Sequence, residues 1–148
     1  MNGRQTTTTI LMAEDDEDDR MLVREALTES RLTHELYTVT DGEELMDYLH
    51  QRGKYADKNI APRPCLILLD LNMPKKDGRE ALKEIKADSN LRQIPIVVLT
   101  TSKAEEDIHS TYDLGANSFI IKPATFASLV EVMKAIGKYW FDTVELPL

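Results

Sequence analysis

Residues 66–70 read Leu-Ile-Leu-Leu-Asp, a continuous apolar run that ends in an acid. A strand this apolar is stable only when both of its faces are covered, which is typical of a parallel sheet between two layers of helices. Loop-forming residues bound the run, because residues 51–64 contain a glycine and two prolines and residues 74–78 contain a proline and a glycine. The stretch therefore predicts a central buried strand whose carboxyl end carries Asp70.

Shorter apolar stretches alternate with amphipathic ones along the rest of the chain. The strands are predicted at residues 10–13, 35–39, 66–70, 95–100 and 118–121. The helices are predicted at about residues 18–30, around 45–49, and at about 79–87, 103–114 and 125–138. Five βα units with right-handed crossovers form a doubly wound α/β sheet. We expect a flavodoxin-like, five-stranded parallel sheet with the strand order 2-1-3-4-5 and helices on both faces.

Composition limits the classes of function. The 148 residues are enough for one domain with its own core. The net charge of −8, from 18 basic and 26 acidic residues, argues against direct binding to nucleic acid. No apolar run is long enough to cross a bilayer and no signal peptide is visible, so we expect a cytoplasmic protein without membrane contact. The single cysteine, Cys65, fits a reducing compartment and is expected to be a small buried side chain.

Polar side chains follow the strands at the edge where open α/β sheets bind ligands. They are Glu14, Asp15 and Asp16 after the first strand, Asp70 after the third, Thr100 after the fourth and Lys122 after the fifth. Because strands 1 and 3 are neighbours in the proposed order, we expect Asp15 and Asp70 to converge.

Converging carboxylates repel each other unless a cation neutralises them. Mg²⁺ (or Mn²⁺) suits such a group of oxygen ligands and also accepts phosphate oxygens. Asp70 is then a candidate carboxylate nucleophile toward phosphorus, and Lys122 is a candidate partner for the carboxylate or phosphoryl oxygens. The hydroxyl of Thr100 could donate to the new phosphoryl group and so report its arrival.

Each of these residues also has a simpler explanation. An acid at the end of a strand is commonly a turn residue or a helix cap, and residues 14–19 could do no more than cap the first helix. Thr100 could be an ordinary β-forming residue and Lys122 an ordinary solvated lysine. Their occurrence at successive strand ends favours a shared site.

With these residues in place, the sequence resembles the receiver domains of two-component response regulators. The resemblance covers about residues 9–138 and rests on four motifs. They are Ala-Glu-Asp-Asp at 13–16, Leu-Asp-Leu-Asn-Met-Pro at 69–74, Val-Val-Leu-Thr at 97–100 and Phe-Ile-Ile-Lys-Pro at 119–123. The resemblance implies a CheY-like fold and a regulatory protein, not an enzyme, that assists only its own phosphorylation and dephosphorylation.

The resemblance also implies a role for each site residue. Asp70 is the implied phosphoacceptor, with Mg²⁺ (or Mn²⁺) held by Asp15, Asp70 and the backbone carbonyl of Asn72, and by Glu14 through water. Lys122 and Thr100 are the implied assisting groups, and Thr100 and Phe119 the implied switch pair. Further implications are a role for Asp16 in capping or in the outer part of the site and a cis peptide between Lys122 and Pro123.

Further likeness identifies a possible pathway. The long segment before the third strand, residues 75–80 and residues 139–147 resemble single-domain regulators paired with bacterial and cyanobacterial phytochrome histidine kinases. A phytochrome-type sensor histidine kinase is therefore the implied partner, with another kind of sensor as the alternative, and the downstream partner is not identified. Thr101 departs from the family pattern, which often has Ala or Gly there, and this puts fast reaction with small phosphodonors in doubt.

We divide the chain into a flexible N-terminus at residues 1–8, a receiver domain at 9–138 and an apolar tail at 139–148, with no output domain. The tail is rich in aromatic and aliphatic residues, namely Tyr139, Trp140, Phe141, Val144, Leu146 and Leu148. Such a tail predicts a homodimer to which the tail contributes, and the resemblance implies that the dimer forms through the fourth helix, fifth strand and fifth helix. The alternative is a tail that folds back onto its own domain.

Three other functions remain open at this point. A phosphatase of the haloacid dehalogenase type also forms an aspartyl phosphate, but it uses the first strand and has a second acid where this chain has Asn72. A flavin-binding protein would need a hydroxyl-rich phosphate loop after strand 1, where this chain has acids that repel phosphate. A degenerate receiver that serves only as a scaffold is the third alternative.

Overall fold

The computed structural model describes residues 8–30, 34–57, 59–101 and 105–139. Five strands in these ranges form one parallel sheet, and their bounds are β1 (Thr8–Ala13), β2 (His34–Val39), β3 (Leu66–Leu69), β4 (Ile96–Thr100) and β5 (Ser118–Ile121). The strand order is β2-β1-β3-β4-β5. The predicted fold class and strand order are confirmed.

A helix follows each strand. The helices are α1 (Glu17–Glu29), α2 (Gly42–His50), α3 (Gly78–Ala87), α4 (Glu105–Asp113) and α5 (Phe126–Gly137). Four of them begin after a side chain that accepts a hydrogen bond from the first turn, and these caps are Asp16, Asp41, Asp77 and Thr125. The capping role expected for Asp16 is confirmed. Sequence-based bounds agree to one or two residues except for α2, which begins three residues before the predicted 45, and the expected start of α4 at residue 103 lies outside the described ranges.

Two apolar clusters cover the two faces of the sheet. One cluster joins the sheet to α1 and α5, through side chains such as Leu27 and Met133. The other joins it to α2 and α3, through side chains such as Leu82. The consecutive residues Leu68 and Leu69 of β3 belong to opposite clusters, because successive side chains of a strand point to opposite faces. This double burial explains why β3 is apolar at every position.

The connection before β3 is more ordered than the loop expected from sequence. It contains a one-turn 3-10 helix at Gly53–Tyr55. The Tyr48 hydroxyl donates a 2.8 Å hydrogen bond to the carbonyl oxygen of Pro62, and Nε2 of Gln51 donates one of 3.1 Å to that of Ala61. These bonds fasten the connection to the end of α2. A single turn fixed by such distant contacts leaves no periodic pattern in the sequence.

Other details of the chain correct the sequence-based expectations. β1 begins at Thr8, which had been assigned to the flexible N-terminus. Cys65 is half-buried where full burial was expected. The cis peptide expected before Pro123 is wrong, because no peptide bond among the described residues is cis; the trans form of an X–Pro bond is favoured by about 0.5–1 kcal/mol. The helices in the described ranges are too short or too polar to cross a membrane.

Candidate functional site

Backbone hydrogen bonds extend the sheet one residue past its strands and fix where the polar side chains leave it. The N–H of Asp70 donates to the carbonyl oxygen of Ala13 at 3.0 Å, and that of Lys122 donates to the carbonyl oxygen of Thr100 at 2.8 Å. The N–H of Glu14 donates in the same way to the end of β2. Because all strands are parallel, these side chains leave at one edge of the sheet, where open α/β folds bind ligands.

Three carboxylates converge at this edge. One oxygen each from Glu14, Asp15 and Asp70 lies within 4.8 Å of the others. They line an open cavity of about 520 Å³ together with Asn72 and Thr101. The structure thus brings Asp15 and Asp70 together as the strand order predicts. Carboxylate oxygens in this number suit a hard divalent cation such as Mg²⁺ or Mn²⁺.

Asp70 is oriented by donors on one of its two oxygens. Its Oδ1 accepts a 2.8 Å hydrogen bond from the Thr100 hydroxyl and a 3.3 Å bond from the backbone N–H of Asn72. Its Oδ2 lies 3.8 Å from Nζ of Lys122. The carboxylate is therefore held on one side and faces an ammonium group on the other.

Gly78 allows α3 to begin against the backbone of Asp70. A Cβ at this position would lie 2.3 Å from the carbonyl oxygen of Asp70 and 2.7 Å from Cα of Leu71. The Gly78 N–H donates a 2.9 Å hydrogen bond to the carbonyl oxygen of Leu71. Only glycine permits this approach without a shift of the backbone that carries Asp70.

The ammonium group of Lys122 lies among the carboxylates of the site. Its Nζ lies 2.5 Å from Oε1 of Glu14 and 2.8 Å from Oδ2 of Asp19, and its side chain is 14% exposed. Burial alone would lower the pKa of the ammonium group, but hydrogen bonds to Asp19 and Glu14 and the charge of Asp70 raise this pKa above its usual range. Lys122 is therefore charged at neutral pH.

Glu14 is the most buried of the three acids, with a side chain that is 1% exposed. Its burial raises the pKa of the carboxyl group, and the charge of Asp70 adds to the rise, whereas the hydrogen bond from Lys122 opposes it. Its Oε2 also accepts a 3.1 Å hydrogen bond from the N–H of Asp16. Both of its oxygens are thus engaged by the protein.

The two switch candidates lie on neighbouring strands. Thr100 is fully buried at the end of β4. Phe119 in β5 is half-buried and packs against the apolar cluster under α2 and α3, and its N–H donates a 3.0 Å hydrogen bond to the Tyr112 hydroxyl of α4. Thr101 is exposed and lines the cavity. This position is consistent with the suggested influence of Thr101 on the reaction of small phosphodonors at the site.

Asp19 belongs to the site, although from sequence it was named only as part of a run that could cap the first helix. A signal was present, because Asp19 lies in the first turn of the helix that follows β1. Side chains of a first turn tilt back toward the helix N-terminus and so toward the carboxyl edge of the sheet.

The profile of the response regulator receiver domain matches residues 10–134. The chain belongs to this family. Receiver domains are signalling proteins, and phosphorylation on an aspartate is general among them. The phosphatase and flavin-binding alternatives are therefore set aside.

This receiver domain is similar to regulators of phytochrome systems. It is 46% identical over 129 residues to the response regulator Rcp1 of Synechocystis. The matched region covers 87% of this chain and 86% of Rcp1. This chain also matches the crystal structure of the phosphorylated cyanobacterial phytochrome response regulator RcpA, with 49% sequence identity and a TM-score of 0.89. The match covers 97% of this chain and 100% of RcpA. The Mn²⁺-bound form of Rcp1 is 45% identical, with a TM-score of 0.85, and covers 95% of this chain and 99% of Rcp1. The likeness indicated by the sequence is confirmed.

Proposed function

We propose that this receiver domain accepts a phosphoryl group on Asp70 from a phytochrome-type sensor histidine kinase and signals by a change of its binding surface. The observation that carries the proposal is the arrangement around one carboxylate. Asp70 faces the Lys122 ammonium at 3.8 Å and is held by the Thr100 hydroxyl at 2.8 Å. A scaffold without phosphorylation would need none of these groups in contact.

The proposed transfer uses Asp70 as the nucleophile. An oxygen of its carboxylate attacks the phosphorus of a phosphohistidine, the P–N bond breaks, and the electron pair leaves with the ring, which takes up a proton from solvent to become neutral imidazole. The ammonium of Lys122 balances the charge on the oxygens of the group being transferred. The Thr100 hydroxyl then donates to a phosphoryl oxygen of the acyl phosphate.

The proposed metal ligands are Asp15, Asp70 and the backbone carbonyl of Asn72, with Glu14 acting through water. The carboxylate oxygens that lie within 4.8 Å support the site, and a relative with a bound Mn²⁺ supports the class of ion. Because Glu14 is engaged by Lys122 and Asp16, an indirect role suits it better than a direct one. When bound, Mg²⁺ (or Mn²⁺) would offset the negative charge of the carboxylates and the phosphoryl group.

The proposed partners follow from the relatives and from the net charge of the chain. The relative RcpA is a phytochrome response regulator, which supports a phytochrome-type kinase as the partner. The net charge of −8 supports signalling through protein contacts, without direct binding to nucleic acid. We also propose a cytoplasmic location and a division into an N-terminal segment at 1–8, whose last residue Thr8 begins β1, the receiver domain at 9–138 and a tail at 139–148.

Phosphotransfer from a labelled kinase tests the proposal. A phytochrome-type histidine kinase is labelled with ATP, freed of nucleotide and metal, and mixed with the receiver domain. We expect an acid-stable, base-labile label when Mg²⁺ is added and none with EDTA. Asp70→Asn should abolish labelling, whereas Asp77→Asn, which removes the same charge and keeps a capping side chain at α3, should not. Full labelling of Asp70→Asn, or unchanged labelling in EDTA, contradicts the proposal.

A further inference from the structure

Asp19 forms an ion pair at the site that the family motifs do not explain. Nζ of Lys122 lies 2.8 Å from Oδ2 of Asp19 but 3.8 Å from Oδ2 of Asp70. We propose that Asp19 is a positioning residue that holds Lys122 against α1 and thereby limits how readily its charge reaches a phosphoryl group. The inference rests on the proposed function of Asp70.

The backbone of Asp19 is fixed, so its side chain is well placed to hold Lys122. Its N–H donates a 3.1 Å hydrogen bond to Oδ1 of Asp16, the cap of α1. The main chain before the helix is also anchored, because Nη1 of Arg20 donates a 2.8 Å hydrogen bond to the carbonyl oxygen of Glu14. The first turn of α1 is thus tied to the end of β1, beside the Lys122 ammonium.

The three acids around Lys122 differ in how easily they can release it. An ammonium group has three donors, and Glu14 and Asp19 each accept from it within 2.8 Å. Glu14 is 1% exposed, so water cannot take the place of Lys122 there, and the loss of this donor would leave a buried carboxyl oxygen without its partner, which is unfavourable. Asp19 is 34% exposed, and water can replace the ammonium there.

A phosphoryl group on Asp70 would therefore draw Lys122 away from Asp19 more readily than from Glu14. The oxygens of that group carry more charge than the carboxylate and compete with Asp19 for the same ammonium. Removal of the Asp19 charge should shift Lys122 toward Asp70. The consequence is tighter binding of a phosphoryl group or of an ion that mimics one.

Beryllium fluoride in saturating Mg²⁺ mimics a phosphoryl group on a carboxylate and needs no kinase, so its affinity, measured by calorimetry, tests the competition. Asp19→Asn should bind it about fivefold more tightly than the wild type. Asp18→Asn removes the same charge from the neighbouring, exposed residue of the same turn and should change the affinity by less than about twofold. Asp19→Glu, which keeps the charge, should restore an affinity close to that of the wild type.

A second measurement shows whether Asp19 acts through Lys122. With Lys122 present, Asp19→Asn should weaken Mg²⁺ binding more than Asp18→Asn does, because the released ammonium moves toward Glu14 and Asp70. In the Lys122→Ala background the two substitutions should have equal effects. Equal effects in both backgrounds would show that Asp19 acts only as a distant charge and would overturn the inference.

The outcomes separate this inference from the proposed function. If the wild type does not bind beryllium fluoride, or if Asp70→Asn binds it equally well, the proposed function fails and the role of Asp19 fails with it. If the wild type binds and Asp19→Asn behaves like Asp18→Asn, the role of Asp19 alone is wrong.

Discussion

The hydroxyl of Thr100 donates a 2.8 Å hydrogen bond to Oδ1 of Asp70, a residue 30 positions earlier in the chain. Both residues are buried, at the ends of the neighbouring strands β4 and β3. The hydroxyl expected to respond to phosphorylation is thus already bound to the proposed acceptor. It needs only a change of acceptor, from a carboxylate oxygen to a phosphoryl oxygen.

Thr100→Ala should still accept a phosphoryl group, because the nucleophile and the charged groups remain, but it should lose coupling to Phe119. A phosphoryl group brings about −1.5 to −2 charges, enough to bias the position of a side chain that has two packing states. Nuclear magnetic resonance of the Phe119 ring with and without beryllium fluoride measures the coupling. Thr100→Ser keeps the hydroxyl and should behave like the wild type. A ring that responds to the same extent in Thr100→Ala would show that the coupling does not pass through this hydroxyl.

Thr101→Ala should shorten the lifetime of the phosphoryl group and speed the reaction with acetyl phosphate. Thr101 is exposed and lines the cavity over Asp70, so its side chain stands beside the path of water and small donors. We expect a change of about three- to tenfold, which corresponds to at most about 1.4 kcal/mol of barrier. The loss of label over time measures it. An equal or longer lifetime in Thr101→Ala would mean that the side chain points away from the path.

Glu44, which lies outside the phosphorylation site, should make the stability of the fold depend on pH. Burial alone would raise the pKa of its carboxyl group, but hydrogen bonds from Tyr55, Thr40 and Lys54 lower this pKa from 4.5 to about 2. A lowered pKa in the folded state gives stability that is complete above pH 4.5 and is lost as the pH falls toward 2.

Tyr55→Phe should therefore cost about 1.5 kcal/mol of unfolding free energy at pH 7, because its hydroxyl donates to the charged Glu44 carboxylate at 2.5 Å. The difference from the wild type should shrink as the pH is lowered from 4 to 2, since the Glu44 carboxyl group of the folded protein protonates first in the variant and then in the wild type. Urea unfolding over this pH range measures the difference. Tyr37→Phe removes the same atom away from Glu44 and serves as the control. A difference that stays constant with pH would show that Glu44 is not the partner that matters.

We predict a homodimer through α4, β5 and α5, with the tail at 139–148 contributing. Tyr139 is 52% exposed and lines an apolar groove of about 320 Å³ with Ile120 and Val132, and Ile121 of β5 is also exposed. The rest of the tail lies outside the described residues.

Light scattering at micromolar concentration should show a dimer, and a monomer with and without phosphorylation would rule it out. Truncation after Lys138 should weaken the dimer, provided that circular dichroism shows a folded domain.

Much of the fold and of the site follows from local features of the sequence. The apolar run of β3 required cover on both faces, and parallel strands brought Asp15, Asp70 and Lys122 to one edge. Three features depend on contacts between parts of the chain that are distant in the sequence, and they were not predicted. They are the Asp19–Lys122 ion pair, the hydrogen bond from Thr100 to Asp70 and the 3-10 turn at Gly53–Tyr55.

The position of the phosphoryl group tests the central claim most directly. Borohydride reduces an aspartyl phosphate to homoserine, and mass spectrometry of tryptic peptides locates the change. Residues 59–75 form one tryptic peptide, since Arg63 precedes a proline, and Asp70 is its only acid. We expect Mg²⁺-dependent homoserine at position 70 after phosphotransfer. Homoserine in another peptide, or none in a protein that carries the label, would contradict the assignment of Asp70.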